Sequence, residues 1–323
     1  MIEGLWLLAQ TDGPNRFAEM AAEGLSLGSI YALLGMGLVI IFKATQVLNF
    51  AHGALTAAGA YLIAAFASIL DIPGRWMPGS PEWLQWTLAV VLAMAAAAGL
   101  GMLLERVFIR PMVGEELFAV ALVTLGVDIM LRGVTNDFIG TDPRPLGDPF
   151  GTQILDLGWV TMAYSEVAQI ITAVVLVAVI GLFFRSRTGI AMRATAFDQE
   201  AARAQGINVG RIFSIAWAIG AVLATVAGLF ISIFPRRSAG VDTATAFFVF
   251  RAFPVVIVGG LDSFVGAIVG GLLIGFAESA AVSYVKFDFL GVGFGGIVPY
   301  IVMLVVLIVR PYGIFGTEEI RRV

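Results

Sequence analysis

Charged side chains are rare inside the apolar runs of this chain, so each one is a candidate for chemistry. Asp128 and Arg132 stand four apart in an otherwise uncharged run, a spacing that places them on one helix face where they can pair. Glu278 is the only charge between Ser263 and Val285, and Arg251 stands alone in a short apolar piece. Glu23, Ser26, Ser29 and Tyr31 could form a polar stripe on one helix, although such hydroxyls commonly bond back to their own helix or to a neighbour. His52, the single histidine, closes the sequence Asn49-Phe50-Ala51-His52. Ionisable groups within apolar segments usually face the interior of a bundle and mark a solute, ion or proton path. The competing reading is structural: an ion pair for Asp128 and Arg132, pairing across helices for Arg251 and Glu278, and a helix cap for Asn49.

Several kinds of chemistry are missing. There are two lysines, Lys43 and Lys286, and no GxxxxGK[ST] string, so no loop is present to cradle nucleotide phosphates. HExxH and GxSxG are absent as well, and there is no cysteine for a thiol, disulfide or thiolate metal site. The polar groups are too few and too scattered for a catalytic centre. No enzyme activity, metal or cofactor is expected.

The elements that hold these residues must be membrane helices. Hydrophobic residues make up 59% of the 323, charged residues 13% and the mean hydropathy is +0.94, whereas soluble chains carry about 25% charged residues. The composition predicts an all-α polytopic membrane protein, one bundle over residues 1–323. Apolar runs fall at about 20–42, 50–70, 86–104, 117–135, 165–184, 212–234, 246–261, 263–284 and 289–309. This gives eight to nine transmembrane helices, with a discontinuous second span broken at the Asn49–Gly53 element and 246–261 either crossing or re-entrant. The amino terminus carries Glu3 where a signal peptide would be basic, and it is not read as cleaved. GAIVGG and GGLLIG, within Gly266–Gly275, have the small-xxx-small spacing that lets helix backbones approach closely.

Between two of these runs lies the only long polar, Arg-rich segment, Arg185 to Arg211. Arg185, Arg187, Arg193, Arg203 and Arg211 outweigh Asp198 and Glu200, which places the segment on the cytoplasmic side. With nine passes, Lys43, Arg106, Arg110 and the tail Arg310, Arg321 and Arg322 share that side. Glu105, Arg106 and Arg110 read as headgroup-level anchors of little functional weight. Outside, the long 136–163 loop is either a lid or a solvated connector with a short hairpin.

Within the Arg-rich segment, Glu200-Ala201-Ala202 is followed by Gly206, the spacing E-A-A-x3-G. It is similar to the coupling motif of ABC-importer permeases, although the usual I-x-L-P continuation is replaced by Ser214-Ile215-Ala216-Trp217. Small Ala201 and Ala202 suit a helix lying deep in a groove, Glu200 can meet a basic partner, and Gly206 permits a sharp exit turn. Gly24–Leu62, Arg193–Val209 and Phe253–Glu278 resemble the branched-chain amino acid ABC permeases of the LivH kind, most specifically at Asn49–Gly53.

That resemblance implies an ABC-importer permease in a bacterial inner membrane, for branched-chain amino acids or a related small polar solute. Urea and short-amide importers share these motifs, and an ion-coupled secondary transporter is the reading from another class. The implied partners are a second, homologous permease, two ATP-binding subunits, an outer solute-binding protein and the lipid bilayer, with no nucleic acid. Arg193, Ala194, Asp198, Glu200, Ala201, Ala202 and Gly206 are the expected ATPase-coupling residues, on one helix from Ala194 to Gly206. Ser26, Ser29, Tyr31, Asn49, His52, Gly259, Gly260 and Glu278 are the expected solute-path residues. Half-helix ends near Asn49 and near Gly259–Gly260 would meet the ligand's charges.

Overall fold

A computed structural model describes residues 15–285 and 294–316. The amino-terminal residues before Asn15, Lys286, Arg321 and Arg322 therefore lie outside the described residues. Seven helices are long and apolar enough to cross a membrane. The first is α1, Asn15–Thr45. α2, His52–Ala64, runs on through wider π-helical turns to Ile69 and a short helical turn, Ile72–Trp76. α3, Glu82–Leu104, is extended by π-helical turns at Glu105–Ile109 and a 3-10 turn at Arg110–Met112. α4 is Leu117–Ile139. A hairpin of β1, Ile154–Asp156, and β2, Thr161–Ala163, precedes α5, Tyr164–Phe183. Two short helices, α6 at Arg187–Phe197 and α7 at Gln199–Ala204, lead into α8, Val209–Ile231. A 3-10 stretch, Thr245–Arg251, opens α9, Ala252–Gly259. α10, Phe264–Tyr284, and α11, Val298–Val309, complete the described residues.

Contacts at the two ends of α1 show how many times the chain passes through the bundle. At one end Glu23 binds Arg236, and the Arg16 side chain reaches the Ser283 carbonyl. At the other, the Lys43 ammonium donates to the Asp262 carbonyl at 3.1 Å. The chain therefore enters the 245–259 stretch from the Glu23 end and leaves it at the Lys43 end. The segment crosses and is not re-entrant. α11 returns to the Lys43 end too, where Ile314 and Phe315 donate to the carbonyls of Val258 and Gly259. With the seven long helices, the described residues account for nine passes.

The bundle closes around α1 and α8. Side chains from Ile30 to Ile41 on α1 are almost all fully buried, as are Ala216, Trp217, Ala221 and Ala224 on α8. Lipid tails are as apolar as leucine, so the close approach must come from small residues. Gly24 and Gly28 on α1 interlock with Gly271 and Gly275 on α10: a Cβ on Gly275 would lie 2.4 Å from the Gly28 Cα, and one on Gly271 2.5 Å from the Ala32 nitrogen. The glycine repeats thus serve packing, as their spacing predicts. α5, in contrast, presents Ile171, Val174, Val175, Val179 and Leu182 at its surface, an apolar face suited to lipid or another membrane helix.

α1 ends where Gln46 takes a left-handed φ of 58°. The next residues do not reach the surface: Val47, Asn49 and Ala51 are buried, and Thr124 on α4 receives the Phe50 N–H at 3.3 Å. A non-helical stretch inside the bundle is tolerated because protein groups satisfy its backbone. The break expected in the second span is therefore the entry to α2.

Candidate functional site

The Arg-rich loop, Arg185–Arg211, is built from three capped helix starts. Ser186 caps α6 by accepting from the Gly189 N–H at 3.2 Å. Asp198 then ends α6 and starts α7, its Oδ1 accepting from the Glu200 and Ala201 N–H groups at 2.9 Å each. Gly206, at φ +81°, turns the chain, and Asn208 caps α8 through the Arg211 N–H at 3.0 Å. One helix was expected from Ala194 to Gly206. The structure breaks it at Asp198, because an aspartate carboxylate offers the following N–H groups a nearer partner than continued helix would.

That break sorts the loop into two faces. Met192 and Thr195 on α6 and Ala202 on α7 turn inward and are buried, while Arg193, Ala194, Asp198, Glu200, Ala201, Arg203 and Gly206 are exposed. Phe197 is 94% exposed at the corner between the two helices. Ala201 and Ala202 thus part company, one facing solvent and the other anchoring α7 to the bundle.

The loop is tied to the membrane helices by residues that sequence reasoning undervalued. Glu105 is fully buried rather than at a headgroup surface, and Arg110 grips it with two bonds, Nε to Oε1 at 3.0 Å and Nη2 to Oε2 at 2.8 Å. The same Nη2 reaches the Gly210 carbonyl at 2.9 Å and the Ser214 hydroxyl at 2.7 Å, both on the first turns of α8. Ser214 in turn donates to Glu105 Oε2 at 2.6 Å. Only Arg106 remains an exposed anchor of the kind expected.

Within the bundle the scattered charges come together. The Tyr31 hydroxyl donates to Glu278 Oε2 at 2.5 Å, and Arg251 donates to Oε1 at 2.8 Å. Nearer the Glu23 end, Arg236 bonds Glu23 at 3.1 Å and the Ser26 hydroxyl at 2.7 Å, while Gln169 on α5 donates to the Ser26 carbonyl. Burial works against the charge on Arg236, but the carboxylates of Glu23 and Glu166 more than offset it and hold its pKa above the usual arginine value. Ser29 bonds back to the carbonyls of Leu25 and Ser26.

Asp128 and Arg132 pair at 2.6 Å, as their spacing predicts. Arg132 lies over the Phe247 ring at 4.8 Å. Asn49 accepts from the Ala51 N–H at 3.0 Å, a local turn next to the helix start. His52 is wholly buried against Gly37, where a Cβ would lie 2.7 Å from its ring. Neither ring nitrogen makes a well-formed hydrogen bond, and Asn49 Nδ2 is unsatisfied as well. Gly259 and Gly260 do not offer free backbone to a ligand: a Cβ on Gly259 would lie 2.1 Å from the Gly266 carbonyl, and one on Gly260 2.5 Å from the Gly316 nitrogen. Their role is a closed turn at the Lys43 end.

Comparison with known proteins identifies the family. The family of branched-chain amino acid transport system permease components matches residues 20–307. LivH of Escherichia coli K12, a high-affinity branched-chain amino acid transport system permease protein, is 30% identical over 95% of this chain and 98% of its own. BraD of Pseudomonas aeruginosa, of the same description, is 27% identical over the same shares. LivM of E. coli K12, also described as such a permease, is 26% identical over 90% of this chain and 68% of its own. With the nine-pass bundle and the resemblance to both LivH and LivM, this chain belongs to the branched-chain amino acid transport system permease family.

Proposed function

We propose that this protein is one permease subunit of an ABC importer for branched-chain amino acids. It pairs with a second, homologous permease, and two ATP-binding subunits and an outer solute-binding protein complete the complex. Arg185–Arg211 and the carboxyl terminus face the cytoplasm, in keeping with the arginine bias of that end. The permease performs no covalent chemistry. Solute moves through a cavity shared with the second permease, which opens alternately to each side as the ATP-binding subunits close and separate.

The observation that carries this reading is the divided coupling loop. Ala202 fixes α7 to the bundle, while Glu200, Ala201 and Phe197 stand exposed beside it. A short capped helix, held from behind and presenting small residues and one aromatic, fits a groove on a soluble subunit. A branched-chain amino acid carries one cation, one anion and an apolar side chain. Asp128 is already paired with Arg132 and Arg251 with Glu278, so the unsatisfied His52 and Asn49 atoms are the candidate polar groups of the path.

Replacing Ala201 with Trp tests the reading. Ala201 is exposed, so the variant folds, inserts and reaches the membrane at wild-type levels. In reconstituted vesicles its ATP-driven leucine uptake falls at least tenfold. Wild-type uptake by this variant would remove the docking assignment.

A further inference from the structure

We infer that Glu105, Arg110 and Ser214 form the joint through which movement of the coupling loop reaches the transmembrane bundle. The inference rests on the reading of residues 187–206 as the ATPase-docking loop, and it concerns how that loop is connected rather than what it binds.

The joint lies where the chain returns from the loop to the membrane. Gly210 and Ser214 are on the first turns of α8, just beyond the Gly206 turn, and Glu105 and Arg110 are on the turns that end α3. The Glu105 side chain is completely buried and that of Arg110 is 38% exposed, so the carboxylate end is dry and the guanidinium end faces the loop. A planar guanidinium that binds a carboxylate with two parallel bonds fixes direction as well as distance. Ser214 closes the triangle, accepting from Arg110 and donating to Glu105. The first turns of α8 cannot be displaced without α3 moving too, unless these bonds break.

Beyond the joint, α8 has little freedom to bend alone. A Cβ on Gly101 of α3 would lie 2.6 Å from the Trp217 carbonyl, and one on Gly220 3.3 Å from the Gly37 carbonyl on α1. Close-packed helices shift as bodies. A cleft of about 220 Å³ adjoins the joint, lined by Gln199 of α7 together with Gln46, Ile109, Glu115 and Phe213. The arrangement is a short helix anchored by Ala202 next to a space, with α8 bound to α3 just beyond its exit turn. A thrust that reaches the first turns of α8 is therefore shared with α3.

The experiment measures leucine transported per ATP hydrolysed in proteoliposomes holding the full complex. Ser214→Ala leaves the Glu105–Arg110 pair intact and cuts its hydroxyl link to α8. It lowers the ratio at least threefold while ATP hydrolysis continues and the apparent melting temperature stays within a few degrees of wild type. Arg110→Gln lowers the ratio at least tenfold, and Arg110→Lys recovers part of it by restoring the charge without the fork. Complexes of Ser214→Ala and Arg110→Gln that keep the wild-type ratio overturn the joint. Should Arg110→Gln fail to assemble, Ser214→Ala decides the matter alone. A wild-type complex that takes up leucine without ATP overturns the functional reading, and the joint with it.

Discussion

Tyr31 and Glu278, 247 positions apart, meet at 2.5 Å, and Arg251 binds the other carboxylate oxygen. Three helical segments are thereby pinned at one point among apolar side chains. Glu278→Ala leaves the Arg251 charge uncompensated and destabilises the protein by about 3–5 kcal/mol. Tyr31→Phe removes one bond to a charged group and costs about 1.5–3 kcal/mol. The joint replacement of Arg251 and Glu278 by leucine recovers part of the loss, because an apolar pair needs no desolvation, while the buried Tyr31 hydroxyl, left without its acceptor, keeps a cost of about 1–3 kcal/mol. Unfolding in detergent, followed by tryptophan fluorescence, checks the order. A double variant no more stable than Glu278→Ala contradicts it.

The interlocked glycines predict a different failure. Gly275→Leu places a branched side chain where even a Cβ would lie 2.4 Å from the Gly28 backbone. Overpacking of this kind costs about 1–3 kcal/mol and occasionally more. Gly99, by contrast, faces open space, so Gly99→Leu leaves stability within about 0.5 kcal/mol of wild type. Equal losses at the two sites would show that the α1–α10 approach does not limit stability.

The loop's orientation can be read by labelling, since the chain has no native cysteine. Single cysteines at Ala194 and Gln205, both exposed, react with a membrane-impermeant reagent in inverted vesicles and stay silent in intact cells. A cysteine at Thr195 stays unlabelled from both sides, because that position is 1% exposed. Labelling of Gln205→Cys in intact cells would reverse the topology.

Asp128 and Arg132 neutralise each other, which predicts a structural role for the pair. The double change Asp128→Asn and Arg132→Gln reduces the amount of folded protein but preserves leucine transport per folded molecule within about twofold. Normal expression with transport abolished would place the pair on the solute path.

Much of this arrangement was legible in the sequence because it depends on local patterns. Hydropathy gave the seven long helices to within a few residues, while the start of the 289–309 run lies outside the described residues; the four-residue spacing gave the Asp128–Arg132 pair, and the glycine spacing gave the α10 side of the α1–α10 contact. What escaped depends on partners distant in the chain. Nothing near Glu105 announces Ser214, 109 positions away, and a terminal Glu–Arg cluster looks the same whether it faces headgroups or another helix. The split at Asp198 was readable in principle: an aspartate followed by Gln-Glu-Ala-Ala is a helix-start signal, but the continuous E-A-A-x3-G spacing concealed it. For Gly259 and Gly260 the sequence showed flexible backbone, and only the fold revealed that other backbone fills the space.

The central claim is that ATP hydrolysed by other subunits drives a branched-chain amino acid through this chain. The most direct test reconstitutes it with the ATP-binding subunits, second permease and binding protein encoded beside its gene, and follows radiolabelled leucine into proteoliposomes. The account predicts uptake that requires ATP on the side of the Arg185–Arg211 loop, persists when proton and sodium gradients are collapsed, and is not displaced by excess urea. Leucine uptake that proceeds without ATP and follows an ion gradient would contradict it, as would ATP-driven uptake of urea with none of leucine.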